Sequence, residues 1–450
     1  MMMVKAIAQT VLSGSVLKGS AAAFAVKLAA SIAGFVMFAL SSRYMEPVSF
    51  GSFAIIFNAM SFLAVAALCG QETLIVRSWD EYRGSNRPDL ARGALTFGVC
   101  VAAGAAFAMA VAVALAWTIW DRAVPTGLVL SASAFLFTYA VMMFSGQFTR
   151  VAAGVVIGEI PREFMWRAIV AATIAVHHVM SIEFDSTDFF VAAAGALAVA
   201  LAFQFTQVAP AVPQTVRRSA ARYDVKAWAP RSFKMWLSAM LDTTSQYLEV
   251  VAIGFFLGPV AAGFYFVATR ITNVFAMITG SITIYAMPQI SNRFYSGAKD
   301  ELQGVLRSLA IIGAILTAGA FLVIVLAGKL MLWAFGDAYI SAYPTLLILA
   351  AGASIGALAG PAAHVLLLTG HEGAYPRILA SALVLRFVLI GVFGSLFGLM
   401  GAALAWSISV TILSVALIIA CRRLVGLDPS LGFALRLPRT RMIEVKGGTR

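Results

Sequence analysis

A few ionisable and amide side chains interrupt otherwise apolar stretches of this chain, and they are the groups best placed to do chemistry. Lys27 stands about 10 Å into an apolar run that begins near residue 20, at 1.5 Å per helical residue. Asp242, Gln246 and Glu249 are spaced i, i+4 and i+7, which puts all three on one helical face. Arg270 and Asn273 lie one turn apart in the next run, and Arg386 lies in a later one. An ionisable group in hydrocarbon is costly unless it faces protein or a watery cavity. Lys27, Asn58, Arg270, Asn273 and Arg386 therefore read as candidates for lining a cavity that takes an anionic group. Asp242, Gln246 and Glu249 read as a polar pathway whose carboxylates could couple transport to protons or cations. Each also has a structural reading: Lys27 can snorkel to the interface, the stripe can be a seam between helices, and Arg270 can pair with Asp242 or Glu249. Arg167, only a few residues into its run, reads as snorkelling.

Enzymatic and metal chemistry find little support. His177 and His178 precede Glu183, Asp185 and Asp188, but adjacent histidines project in different directions, so these read as loop residues and no metal site is expected. Cys69, Cys100 and Cys421 form no CxxC pair and no Cys/His cluster, which argues against disulfides and zinc. Gly352-Ala-Ser-Ile-Gly356 matches a nucleophile elbow in letters only. It lies within an apolar helix, where Gly352, Gly356 and Gly360 read as a close-packing face. Ser15-Val-Leu-Lys18 is an isolated Ser-x-x-Lys, and no Walker loop occurs. The expectation is a protein that is not an enzyme and needs no cofactor.

The elements that must carry these residues follow from composition. Of 450 residues 61% are hydrophobic and 12% charged, with a mean hydropathy of +0.91. A soluble domain is closer to half apolar and a quarter charged. Apolar runs of spanning length fall near 20–41, 48–69, 93–118, 126–146, 164–180 and 189–209, then near 235–256, 260–286, 308–328, 343–369, 378–396 and 399–420. They must be helices, because a lipid-exposed backbone satisfies its own hydrogen bonds and the alternation of barrel strands is missing. The fold class is an all-α polytopic membrane protein of about twelve spans. With the N-terminus inside, 25 of the 32 Lys and Arg fall in cytoplasmic segments, and only Arg43, Arg122 and Lys329 lie outside. Basic residues spread over seven short segments set topology and do not form a nucleic-acid face. No cleavable signal peptide is read at the N-terminus.

The two halves repeat. Pro47-Val-Ser-Phe-Gly-Ser-Phe53 matches Pro259-Val-Ala-Ala-Gly-Phe-Tyr265 at an offset of 212, and the same offset carries Arg87-Pro-Asp-Leu90 onto Lys299-Asp-Glu-Leu302. Six spans separate the copies, so both have the same orientation, as in a parallel repeat. Two pseudo-symmetric six-helix lobes follow, residues 1–209 and 235–420, with a basic cytoplasmic linker at 210–234 and a basic cytoplasmic tail at 421–450.

The Pro-x-x-x-Gly-x-Phe/Tyr element in both halves resembles the repeat signature of bacterial polysaccharide exporters. So do Leu368-Thr-Gly370 and Phe397-Gly-Leu-Met-Gly-Ala-Ala-Leu-Ala405. The resemblance covers nearly the whole chain and is to the oligosaccharide-lipid flippases of the multidrug/oligosaccharidyl-lipid/polysaccharide exporter superfamily. It implies transfer of undecaprenyl-diphosphate-linked repeat units across the bacterial inner membrane for exopolysaccharide, capsule or O-antigen. It also implies membrane lipids as surroundings and a polysaccharide polymerase and chain-length regulator as partners. The diphosphate would meet Lys27 and Arg270. The related lipid II flippases typically carry fourteen spans, against twelve counted here. Other readings are a drug/cation antiporter of the same superfamily, a membrane-embedded polymerase or ligase, for which the outside loops are short, and a structural scaffold.

Overall fold

The computed structural model describes residues 14–120 and 124–434, and the described residues are helical without a strand. Arg122, Lys5 and the tail from residue 435 lie outside them, as do the side chains of Ser15 and Lys18. The first half contains α1 (Gly14–Tyr44), α2 (Pro47–Ala67), α3 (Gln71–Gly84), α4 (Pro88–Trp120), α5 (Thr126–Ala152), α6 (Val155–Glu159), α7 (Trp166–Val179), α8 (Ser186–Ala211) and the short α9 (Gln214–Arg218). The second half contains α10 (Val225–Leu257), α11 (Pro259–Tyr295), α12 (Lys299–Trp333), α13 (Tyr343–Leu358), α14 (Ala362–Leu368), α15 (Ala374–Ala420) and α16 (Leu431–Ala434).

Among the described residues nine helical segments are long and apolar enough to cross a membrane. The last of them is two helices joined at Gly398, whose φ of 60° and ψ of −142° are not helical. The shorter α7 and the more polar α10 complete the expected twelve. Local chemistry sets many of the ends. Pro47 opens α2, where its missing N–H costs nothing. Asp185 and Asp188 form a reciprocal capping box at α8 with bonds of 2.9 and 3.0 Å, a structural use for two acids that sequence placed near His177 and His178.

Helix starts repeat as closely as the sequence motifs do. Residues 47 and 259, 88 and 299, 126 and 337, and 186 and the Gly398 joint are each separated by 211 or 212 positions. The second copy of α1 is α10, whose start at Val225 falls inside the segment read as linker.

The chain packs as two compact units. One comprises Met1–Arg270, Lys329–Tyr343 and Ile390–Leu399. Its core is a run of buried aromatic rings that includes Phe50, Phe53, Phe135, Phe189 and Phe266. At the end of this unit that carries the 44–47 and 257–259 turns, the two repeat signatures meet. A Cβ on Gly51 would collide with the Pro259 carbonyl, and one on Gly263 would lie 3.1 Å from the Gly51 Cα, so the paired glycines allow two helix starts to touch backbone to backbone. Beside them Arg43 donates to the Ala334 and Trp333 carbonyls at 2.8 and 2.9 Å, and Ser42 donates to the Phe335 carbonyl at 2.8 Å. These bonds satisfy carbonyls orphaned at the end of α12.

The other unit comprises Ile271–Gly328, Pro344–Leu389 and Met400–Arg450. Its core gathers Ile290, Leu302, Leu306, Leu366 and Cys421. The expected small-residue face is in place, with Gly352 against Ser407 and Gly356 against Val410. Gln303 exchanges two hydrogen bonds with the Asp428 backbone, at 2.7 and 2.9 Å, and so ties the segment after α15 to α12.

Candidate functional site

Arg270 is eleven residues into α11, about 16 Å from its start, or half of a ~30 Å hydrocarbon core. Its guanidinium lies over Phe266, 4.3 Å from the ring centroid, and over Phe38 at 5.3 Å. Its Nε is buried and donates to no partner, and no ion pair of Arg270 occurs among the described residues. Its electrostatic neighbours are the Tyr139 and Tyr247 hydroxyls, 3.3 Å apart, and a second cation, Arg167. The sequence reading in which Asp242 or Glu249 neutralises Arg270 does not describe this arrangement. Aromatic faces attract the cation, yet they leave its hydrogen-bonding fork unfilled. The arrangement suits an anion that brings its own oxygens.

The other residues singled out by sequence separate. Asn58, at the position of Arg270 in the first copy, is fully buried; its amide nitrogen donates to the Ala54 carbonyl at 2.7 Å, while its Oδ1 has no partner. Glu249 is buried and accepts from the Tyr265 hydroxyl at 3.3 Å, whereas Asp242 and Gln246 on the same face are less enclosed. Lys27 and Asn273 are exposed. Arg386 is buried in the other unit, donating from Nε to Ser409 at 3.2 Å with Trp406 beneath it.

Sequence reasoning missed a ladder of charges around the π-helical turn Ile160–Met165. Glu159, 2% exposed, pairs with Arg162 at 2.8 Å and Arg150 at 3.6 Å; Glu163 pairs with Arg162 at 3.2 Å and Arg167 at 3.0 Å. Burial works against the Arg162 charge, but Glu163 and Glu159 outweigh it and hold the guanidinium above its ordinary value. Arg167 therefore does not snorkel. It is tied to Glu163, donates to the Ala30 carbonyl at 3.3 Å and lies over Trp166. The signal was present, since Glu159, Arg162, Glu163 and Arg167 follow i, i+3, i+4, i+8 spacing, which places opposite charges one turn apart.

A buried ionic ladder, an unneutralised arginine among aromatic rings and a duplicated helical frame are the features that known proteins can be compared against. The family model described as "Polysaccharide biosynthesis protein" matches residues 16–294. The chain belongs to that family. Comparison with curated proteins gives no match. Among solved structures the family member is similar to the lipid II flippase MurJ in an inward closed conformation, at 12% identity over 89% of this chain and 87% of that one, with a TM-score of 0.68. It is similar to an inward-facing multidrug resistance MATE family transporter of the MOP superfamily, at 13% identity over 88% and 94% of the two chains, with a TM-score of 0.63. It also resembles a point mutant of the Vibrio cholerae MATE transporter VcmN, at 13% identity over 91% and 98%, with a TM-score of 0.60. At such identities the likeness is one of fold.

Proposed function

We propose that the protein is a flippase that moves undecaprenyl-diphosphate-linked oligosaccharide repeat units from the cytoplasmic to the periplasmic leaflet of a bacterial inner membrane, by alternating access of lobes 1–209 and 235–420. The observation that carries this reading is Arg270: a cation near mid-membrane depth whose neighbours are aromatic rings, hydroxyls and another cation. An anionic diphosphate complements it, and a cationic drug does not, which ranks a drug antiporter second. A repeat unit's hydroxyls are costly to place in hydrocarbon without partners, so the protein supplies a wet path while the prenyl chain stays in lipid. Both termini are cytoplasmic in this scheme. The Gly51–Gly263 contact lies at the periplasmic end and must part for release. With the cytoplasm negative, each exported negative charge gains about 2.3 kcal/mol per 100 mV. Asp242, Gln246 and Glu249 are the candidates for adding ion coupling, and a polymerase with its chain-length regulator would consume the product.

The test is export of surface polysaccharide by cells carrying variants. Arg270→Ala abolishes export while the protein still accumulates in the membrane, and Arg270→Lys, which keeps charge but loses the bidentate fork, impairs it partly. Recovery of export in Arg270→Ala combined with Glu249→Ala or Asp242→Ala would make Arg270 an internal counter-ion and remove it from substrate binding. Efflux of a lipophilic cationic dye by the wild-type protein, with no polysaccharide phenotype, would favour the antiporter.

A further inference from the structure

A groove of about 670 Å³ runs between the last third of α11 and the first half of α12, and the transport scheme makes no use of it. The two helices press together at its deep end, where a Cβ on Gly313 would meet the Ile282 side chain. Toward the 296–298 turn they leave space, and a Cβ on Gly304 would meet nothing within 4 Å. Glu301 and Ile312 mark its two ends on α12, eleven residues or about 16 Å apart. That length matches one leaflet of a ~30 Å hydrocarbon core. The rim is exposed and apolar, including Ile284, Tyr285, Ile311, Ile315 and Leu316, so the groove opens toward hydrocarbon and not into a watery path.

Its mouth has two charges of opposite sign. Arg293 donates to Gln289 from one terminal nitrogen, while its buried Nε has no hydrogen-bond partner and stands 3.7 Å from Glu301, too far for a hydrogen bond. Glu301 is 74% exposed. A cation with an unfilled donor therefore sits beside a carboxylate free to take another partner, above an apolar slot as long as a leaflet.

We propose that this groove binds one zwitterionic, amine-bearing phospholipid, with its phosphate on Arg293, its ammonium on Glu301 and an acyl chain lying along Gly304 toward Ile312. Glu301 decides the headgroup. A net-anionic lipid would satisfy Arg293 but place its charge against the carboxylate, whereas phosphatidylethanolamine complements both.

The full-length protein, delipidated in detergent, is titrated with phosphatidylethanolamine or phosphatidylglycerol of matched chains and read by native mass spectrometry. One phosphatidylethanolamine is retained per chain in preference to phosphatidylglycerol. Arg293→Ala weakens retention about tenfold, as expected for loss of a charge-assisted hydrogen bond. Glu301→Gln removes the preference between the two lipids. Gly304→Leu fills the slot and abolishes retention, with an unchanged unfolding temperature showing that the chain still folds. Equal retention by the wild type, Arg293→Ala and Gly304→Leu overturns the proposal, as does a preference for phosphatidylglycerol. Displacement of phosphatidylethanolamine by equimolar undecaprenyl phosphate also overturns it, by assigning the groove to a prenyl chain.

Discussion

The helix that begins at Pro47 breaks after Ala67, whereas its copy beginning at Pro259 runs without interruption to Tyr295. The break uses Cys69 at φ 50° and Gly70 at φ 75°; the corresponding residues are Ser281 and Ile282, and a β-branched residue strongly resists such a φ. Partners from α10 hold the break. The Ser232 hydroxyl donates to the Cys69 carbonyl, Gln71 donates to Ser232 at 2.9 Å, and the Trp236 indole donates to the Ala66 carbonyl at 2.9 Å. The ionic ladder is equally one-sided: Glu159, Arg162, Glu163 and Arg167 correspond to His371, Ala374, Tyr375 and Leu379. The frame of helix starts and the Gly51–Gly263 pair are duplicated, while breaks and charges are not. Symmetry therefore belongs to the backbone, and function must be sought where the copies differ.

The ladder gives the largest expected effect. Glu159→Ala leaves the largely buried Arg162 without its nearest acceptor, and breaking a buried pair from one side costs about 3–5 kcal/mol. Replacing its counterpart, His371→Ala, removes no ion pair and should cost about 1 kcal/mol or less. Unfolding temperatures of the purified variants measure both. Similar losses at the two sites would show that the ladder contributes no more than its uncharged copy.

The glycine pair is where the copies ought to agree, and the geometry grades them. Gly51→Ala drives a methyl into the Pro259 carbonyl, whereas Gly263→Ala needs only a shift of a few tenths of an ångström at Gly51. Within the about 1–3 kcal/mol typical of overpacking, Gly51→Ala belongs at the upper end and Gly263→Ala at the lower. Both should loosen the same contact, raising the labelling rate of a cysteine placed at Ser52 in a background lacking the native cysteines. Loosening by one variant alone would mean that the contact is not shared.

Much of the frame was legible in sequence, because spanning length and the 212-residue offset are dictated by hydrocarbon thickness and by duplication, and both leave long signals. The positions of the polar residues along the chain were legible too, since charge in apolar runs is conspicuous. Their pairings were not. Arg167 looked like a lone cation near an interface because its partner Glu163 lies before the apolar run, and the π-helical turn that brings Glu159 and Glu163 onto one ladder has no simple sequence mark. Arg270 looked ready to pair with α10 carboxylates because periodicity gives a residue's face but not its neighbour. The break at Cys69 and Gly70 was readable only as a span end.

The smallest effect concerns Glu72, whose counterpart in the unbroken copy is the exposed Ile284. Glu72 lies in the first turn of α3, outside the apolar spans, with one carboxylate oxygen buried and without a hydrogen-bond partner. Burial pushes its carboxyl above the ordinary glutamate value, against a local backbone hydrogen bond that lowers it. An acid whose folded value is raised binds its proton more tightly in the folded state, so ionisation destabilises the fold. The penalty is complete above the raised folded value and fades as pH falls toward the ordinary value of about 4.3. Glu72→Gln should therefore raise the unfolding temperature at pH 8, with the gain shrinking as the pH is lowered through that window. A gain that is the same at every pH would assign the benefit to packing. No gain at pH 8 would mean that water already solvates the carboxylate, and the broken copy would then carry no electrostatic cost at this position relative to its continuous partner.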